Sequence, residues 1–176
     1  VEVHLPVSQR QPNFVQFTHT VHPVVDRFVP TDEELAAILS LERRAIGLDK
    51  FRPLLVSCDH PYLIVPLRSL DALQQARFNH GAWAESLAPS MLAQQILLFC
   101  RQTESSEANF HARLVGPQVG PHDDPPVGAA LPAFAAYLAE QPSTRQGTYT
   151  FTVERGFDAT RKSLLHAEMD KKPGKG

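Results

Sequence analysis

Two adjacent carboxylates, Asp123 and Asp124, run directly into Pro125-Pro126-Val127-Gly128-Ala129-Ala130. This stretch of the 176-residue chain is the one best composed to do chemistry. The prolines stiffen a turn, and the apolar run from Leu131 to Leu138 that follows reads as a helix. The loop therefore presents backbone N–H groups at a helix N-terminus, which is an arrangement suited to an anion. Gly128 lets a ligand approach the backbone, Ala129 and Ala130 keep the entrance open, and Asp124 supplies a proton acceptor beside it. The same residues also have a plainer reading, in which Asp124 fixes an acidic-Pro-Pro-Gly turn and nothing more.

Three stretches resemble the PhzF-like isomerases of phenazine biosynthesis, relatives of diaminopimelate epimerase. Asp123 to Ala130, followed by Ala133-Phe134-Ala135-Ala136-Tyr137-Leu138, is similar to that family's Glu-Asp-Pro-x-Thr-Gly-Ser-Ala and the helix after it. Pro61 to Leu73 resembles its strand-then-helix segment with Val-Pro-Leu-x-Ser-Leu. Gly156 to Asp170 resembles its closing strand pair, with Thr160-Arg161-Lys162-Ser163 in the place of Gly-Arg-Pro-Ser.

The resemblance implies an α+β fold, one half of the diaminopimelate-epimerase architecture: a twisted, mainly antiparallel sheet around a central helix that begins near Leu131. It implies a proton shift on a small carboxylate substrate of the dihydro-hydroxyanthranilate type, with no metal and no organic cofactor. Asp124 falls in the catalytic slot, and Gly128, Ala129 and Ala130 in the substrate-binding one. Val127 and Ala129 stand where the family has threonine and serine, so two hydroxyls are lost while the backbone donors stay. A catalytically inactive relative that binds a small molecule or a protein is the alternative, and a relic without activity is a third. Arg161 and Ser163 are expected to hold the last strands near the loop.

Only the later part of the family pattern is matched. The glutamate base, the Gly-Asn-Pro segment and the Gly-His-Pro segment of its first half have no counterpart here. Residues 1–28 are therefore expected to be the final strands of a missing N-terminal domain, 29–170 a C-terminal epimerase-like domain, and 171–176 a disordered tail. The expected partners are a small carboxylate-bearing substrate, the N-terminal domain or chain, and a second copy, since family members pair as dimers.

Composition bounds the rest. A net charge of −2 gives no basic face for nucleic acid. No apolar stretch is long enough to span a membrane, so the cytoplasm is the default compartment. Cys58 and Cys100 are too few for a disulfide framework and are expected to be buried thiols. His19 and His22 are three apart, but Pro23 argues against the helix that would bring them onto one metal.

The elements that must position the loop follow from pattern. Val1 to Val7 and Phe14 to Val21 alternate as strands. Thr31 to Ile46 predicts a helix opened by a Thr31/Glu34 capping box and stopped by Gly47. Leu54–Cys58 and Tyr62–Leu67 are strands split by a turn, and Ser69 caps a following helix. Gly81 to Ser90 is a short helix or a loop around Trp83. Gln95–Arg101 is apolar throughout, as suits a strand covered on both faces. Phe110–Val115 then leads into the loop, where His122 is expected to be exposed, and two more strands, Thr148–Val153 and Leu164–Met169, close the sheet.

Overall fold

Among the described residues nine strands hydrogen-bond into one sheet that curls around a buried helix. The computed structural model describes residues 2–7, 15–20, 23–86, 88–91, 93–120, 123–141, 144–157 and 163–171. In chain order the strands are β1 (Glu2–Val7), β2 (Val15–Thr20), β3 (Val24–Asp26), β4 (Leu54–Ser57), β5 (Pro61–Pro66), β6 (Ile96–Cys100), β7 (Phe110–Val115), β8 (Gly147–Arg155) and β9 (Ser163–Lys171). Their spatial order is β2-β1-β9-β8-β7-β6-β5-β4-β3. Only β5/β6 and β7/β8 pair in parallel among these strands, and each of those pairs is joined by a helical crossover. The helices are α1 (Asp32–Leu39), α2 (Leu70–Gln75), α3 (His80–Glu85) and α4 (Leu131–Ala139).

Alternation along the strands divides the core in two. Leu97 and Phe99 of β6 face inward onto α4, while Ile96, Leu98 and Cys100 face outward onto α1, α2 and α3. All five residues of β6 are buried, which is why the segment reads as a continuous apolar run. Helix α4 is buried along nearly its whole length and brings Phe134 and Tyr137 against Phe99. The mainly antiparallel sheet around a central helix beginning at Leu131 is the architecture the motif implied.

The capping box is present as expected: Glu34 N–H donates to the Thr31 hydroxyl at 3.2 Å, and the Glu34 carboxylate accepts from Thr31 N–H. The end of that helix differs from the expectation. Helix α1 stops at Leu39 because Ser40 turns left-handed (φ 57°) and Leu41 N–H reaches back to Ala36 O at 2.9 Å, a Schellman closure. Ile46 then bridges to Leu67 and extends the sheet instead of the helix. Helix α2 starts as read, with the Ser69 hydroxyl accepting Ala72 N–H at 3.1 Å. The segment around Trp83 resolves into α3 and a short 3-10 turn, with Asn79 as the cap and Trp83 buried.

Cys100 is buried as expected, and burial pushes its thiol up to about 12. Cys58 is only half-buried, because it lies just beyond β4 at the turn. No helix among the described residues is long and apolar enough to cross a membrane. The expectations for His22, His122, Thr160, Arg161, Lys162 and residues 172–176 lie outside the described residues.

Candidate functional site

Strand β7 delivers the chain to the start of α4 through a loop held by two close backbone approaches. At Gly116 a Cβ would sit 2.5 Å from the carbonyl oxygen of Gln94, so any side chain would push the loop off the neighbouring segment. The Asp123 carboxylate accepts the N–H of Gly120 at 3.1 Å, and Asp123 N–H returns to Gly120 O at 3.0 Å. Asp123 is thus the residue that closes the turn, which leaves Asp124 unassigned to that task.

Asp124 is half-buried, and its main-chain oxygen accepts from the Arg155 guanidinium of β8. Its side-chain Oδ1 is buried and has no hydrogen-bond partner among the described residues. A buried carboxylate oxygen left unpaired costs free energy, and native structures rarely tolerate one without a use. Asp124 also acts on the buried Arg113, which donates to Leu73 O and Ala76 O at the end of α2. Burial lowers the Arg113 pKa, the charge of Arg77 lowers it further, and Asp124 opposes both.

The next residues divide by orientation. Val127 is fully buried in the α4 core, so a hydroxyl on its side chain would have faced apolar neighbours rather than an opening. Gly128–Ala130 form one 3-10 turn that runs into α4. Ala130 N–H is spent on Val127 O at 3.0 Å, and Leu131 N–H on Gly128 O. The Gly128 and Ala129 N–H groups are therefore the ones that the turn leaves without an acceptor. A Cβ on Gly128 would meet nothing within 4 Å, so the space before it is open. Ala130 has its side chain in the core and its N–H committed, and it offers a ligand neither.

Ala129 is exposed and lines a cavity of about 670 Å³ with Pro125 and Pro126. His60, Tyr62, Gln94, Gln95 and Gln118 supply its polar wall. The described lining holds no lysine or arginine, so an anion there would depend on backbone N–H groups and neutral amides. The Tyr62 phenol, its pKa raised further by burial, is a hydroxyl donor in this wall. Of the three candidates at this helix start, Ala129 lines the cavity, while Asp124 and Gly128 precede it in the chain and are not part of that lining. Among the described residues no three His, Cys, Asp or Glu side chains converge as metal ligands.

The cavity wall formed by His60, Gln94 and Gln95 was not legible from the motif, because these residues come from the β4–β5 turn and the approach to β6 and meet the loop only through sheet order. A second buried polar pair was also missed. On the outer face, His111 of β7 lies opposite Glu154 of β8, with Nδ1 at 2.8 Å from the Glu154 carboxylate. Glu154 also accepts the N–H groups of Glu104 and Ser105, tying that connection to the sheet.

Burial pushes the Glu154 carboxyl up, but those two amides and the His111 ring outweigh it and hold the group below the usual carboxylate range. A depressed pKa stabilises the fold above the unfolded value near ~4.3 and loses that contribution as pH falls through the lower folded value. Glu154→Gln is expected to destabilise the protein by about 1–3 kcal/mol at pH 7. It should also flatten the acid limb of a urea-unfolding pH profile, and an unchanged acid limb would contradict the pairing.

Comparison with known proteins agrees with this architecture. The chain matches the family described as phenazine biosynthesis-like protein (PhzC-PhzF) over residues 2–176. It is 29% identical over 146 residues to an uncharacterized isomerase of Mesorhizobium japonicum, covering 81% of this chain and 48% of that one. With the uncharacterized isomerase YfhB of Bacillus subtilis it shares 24% identity over 173 residues, covering 98% and 54%. The fold overlays a Bacillus anthracis phenazine biosynthesis protein of the PhzF family with a TM-score of 0.68 at 20% identity, covering 94% of this chain and 60% of the other. A protein described as a predicted epimerase from Pseudomonas aeruginosa gives 0.65 at 22% identity, covering 96% and 59%. The chain spans about half the length of the curated relatives it matches. It belongs to the phenazine biosynthesis-like, PhzC-PhzF family.

Proposed function

We propose that this chain forms one wall of the active-site cleft of a cofactor-independent isomerase or epimerase acting by proton transfer on a small carboxylate. The observation that carries the reading is the buried Oδ1 of Asp124, which has no partner among the described residues, just before the central helix. In this scheme Asp124 takes up or returns a proton at the substrate, and the Gly128 and Ala129 N–H groups face the carboxylate or the charge that develops on it. A base of opposite role comes from an N-terminal half, so the activity is that of the two halves together. The relatives described as isomerases, of which this chain covers about half, support that division.

A second reading, a relative that binds but does not turn over, is favoured by Ala129. This exposed position carries no hydroxyl, whereas the loss at Val127 is internal to the core. Titrating the protein that carries both halves with a cyclic amino carboxylate should shift the Gly128 and Ala129 amide resonances and leave those of β3 in place. Ala129→Ser is expected to raise turnover several-fold under the first reading and to change only affinity under the second. Amide shifts spread evenly over the chain would remove the support for both.

A further inference from the structure

We propose that a second ligand site, for a phosphoryl group, lies at the opposite end of the molecule from Asp124. Strand β5 starts at Pro61 on the cavity beside Ala129 and ends at Pro66, next to a cavity of about 520 Å³ framed by Arg43, Arg44, Arg52 and Arg68. Four guanidiniums meet two carboxylates in this lining, Asp32 and Asp49, on a chain whose net charge is negative. A neighbouring cavity of about 500 Å³ shares Arg44 and Arg68 and adds the apolar Leu41, Ala45 and Ala72 together with two carboxylates, Glu42, which Arg44 engages, and Asp71, which accepts from the Gln75 amide. The pair has room for a phosphate and the organic group that bears it.

The arginines are not equivalent. Arg43 is held by Glu33 at 2.9 Å and Arg44 by Glu42 at 2.5 Å, while Asp49 of the lining is engaged by Arg101 at 3.3 Å. Arg52 and Arg68 have no carboxylate within 4.0 Å among the described residues. Both stand on fixed backbone: the Arg52 carbonyl accepts the Tyr137 hydroxyl at 2.7 Å, and Arg68 N–H donates to Ala45 O at 3.1 Å. Gly47 completes the rim with φ at +105°, a conformation that disfavours any side chain, and a Cβ there would meet nothing within 4 Å. Two unpaired planar forks on a rigid rim suit bidentate contacts to phosphate oxygens. The distance from the helix start makes this site independent of the reading given to Asp124.

Inorganic pyrophosphate titrated into the full-length protein at low ionic strength, followed by phosphorus NMR and calorimetry, tests the site. The expected result is saturable binding of one equivalent, weakened about tenfold by Arg68→Gln and by Arg52→Gln, the loss of one charge-assisted contact. Arg68→Lys keeps the charge without the fork and should lie between. Arg145→Gln makes the same change in net charge on an exposed residue outside the lining and should bind as the unaltered protein does. Binding that does not saturate, equal weakening by Arg145→Gln, or succinate binding as tightly as pyrophosphate would each overturn the assignment. Because these side chains are exposed, melting temperatures of the variants should match the parent, and affinity alone is read.

Discussion

Asp124→Asn, made in the protein that carries both halves, is expected to lower proton exchange at the substrate carbon by about 10²–10⁴-fold. The side chain keeps its shape and its half-buried position but loses the ability to carry a proton. Stability should stay within about 1 kcal/mol, because the asparagine trades an unpaired buried carboxylate oxygen for a neutral amide while giving up the attraction to Arg113. This combination separates a proton carrier from a turn-forming residue. A turn former would lose stability with little effect on exchange, and that role already belongs to Asp123 with Gly120. Rate and unfolding free energy measured on one preparation decide between the two.

The second large effect is on the fold. Phe134→Ala is expected to cost about 3–5 kcal/mol, read as a lower urea midpoint with an unchanged slope. The ring is fully buried and lies 5.0 Å from Phe99, 5.2 Å from Phe110 and 5.7 Å from Phe151 between ring centroids. These partners come from β6, β7 and β8, so Phe134 fastens the helix to the middle of the sheet. Edge-to-face packing adds to the area buried, and a truncated ring leaves a cavity that three strands cannot close together. The total stability of a domain is about 5–15 kcal/mol, so the substitution would remove a large share of it. The helix start would loosen with it, and ligand affinity at Gly128 and Ala129 should fall in parallel.

Local signals were legible where the chemistry is local. The Thr31/Glu34 box, the Ser69 cap and the apolar β6 run each depend on residues within a few positions, and each folds as its pattern states. The central helix could be placed because a run as apolar as Leu131 to Leu138 has to be buried on all sides. Failures came where a distant partner decides. Helix α1 ends at Leu39, seven residues before the Ile46 expected to be its last, because the Ser40 hydroxyl reaches Arg77 O and the following chain is recruited to bridge Leu67. Three-residue β3 has too few positions to show a period and exists through its pairing with β4.

The site shows the same division. Asp124, Gly128 and Ala129 lie within six residues and are singled out by their motif alone, whereas the inward turn of Ala130 follows from the 3-10 geometry that rotates it into the core. Alternation placed His111 in a strand, yet only the parallel register between β7 and β8 sets it against Glu154. The Arg52 and Arg68 rim needs two segments sixteen positions apart, one beside the Ile46 to Leu67 bridge and the other turned back by the Leu48 to Phe51 bridge.

The most direct test of the proton-transfer account is solvent-isotope incorporation. The unaltered protein carrying both halves is incubated in deuterium oxide with a dihydro-hydroxyanthranilate-type carboxylate, and the recovered substrate and product are examined by mass and proton NMR. The account predicts deuterium at a single carbon, with incorporation removed by Asp124→Asn. Tight binding with no incorporation at any carbon would contradict it and leave a binding relative in its place.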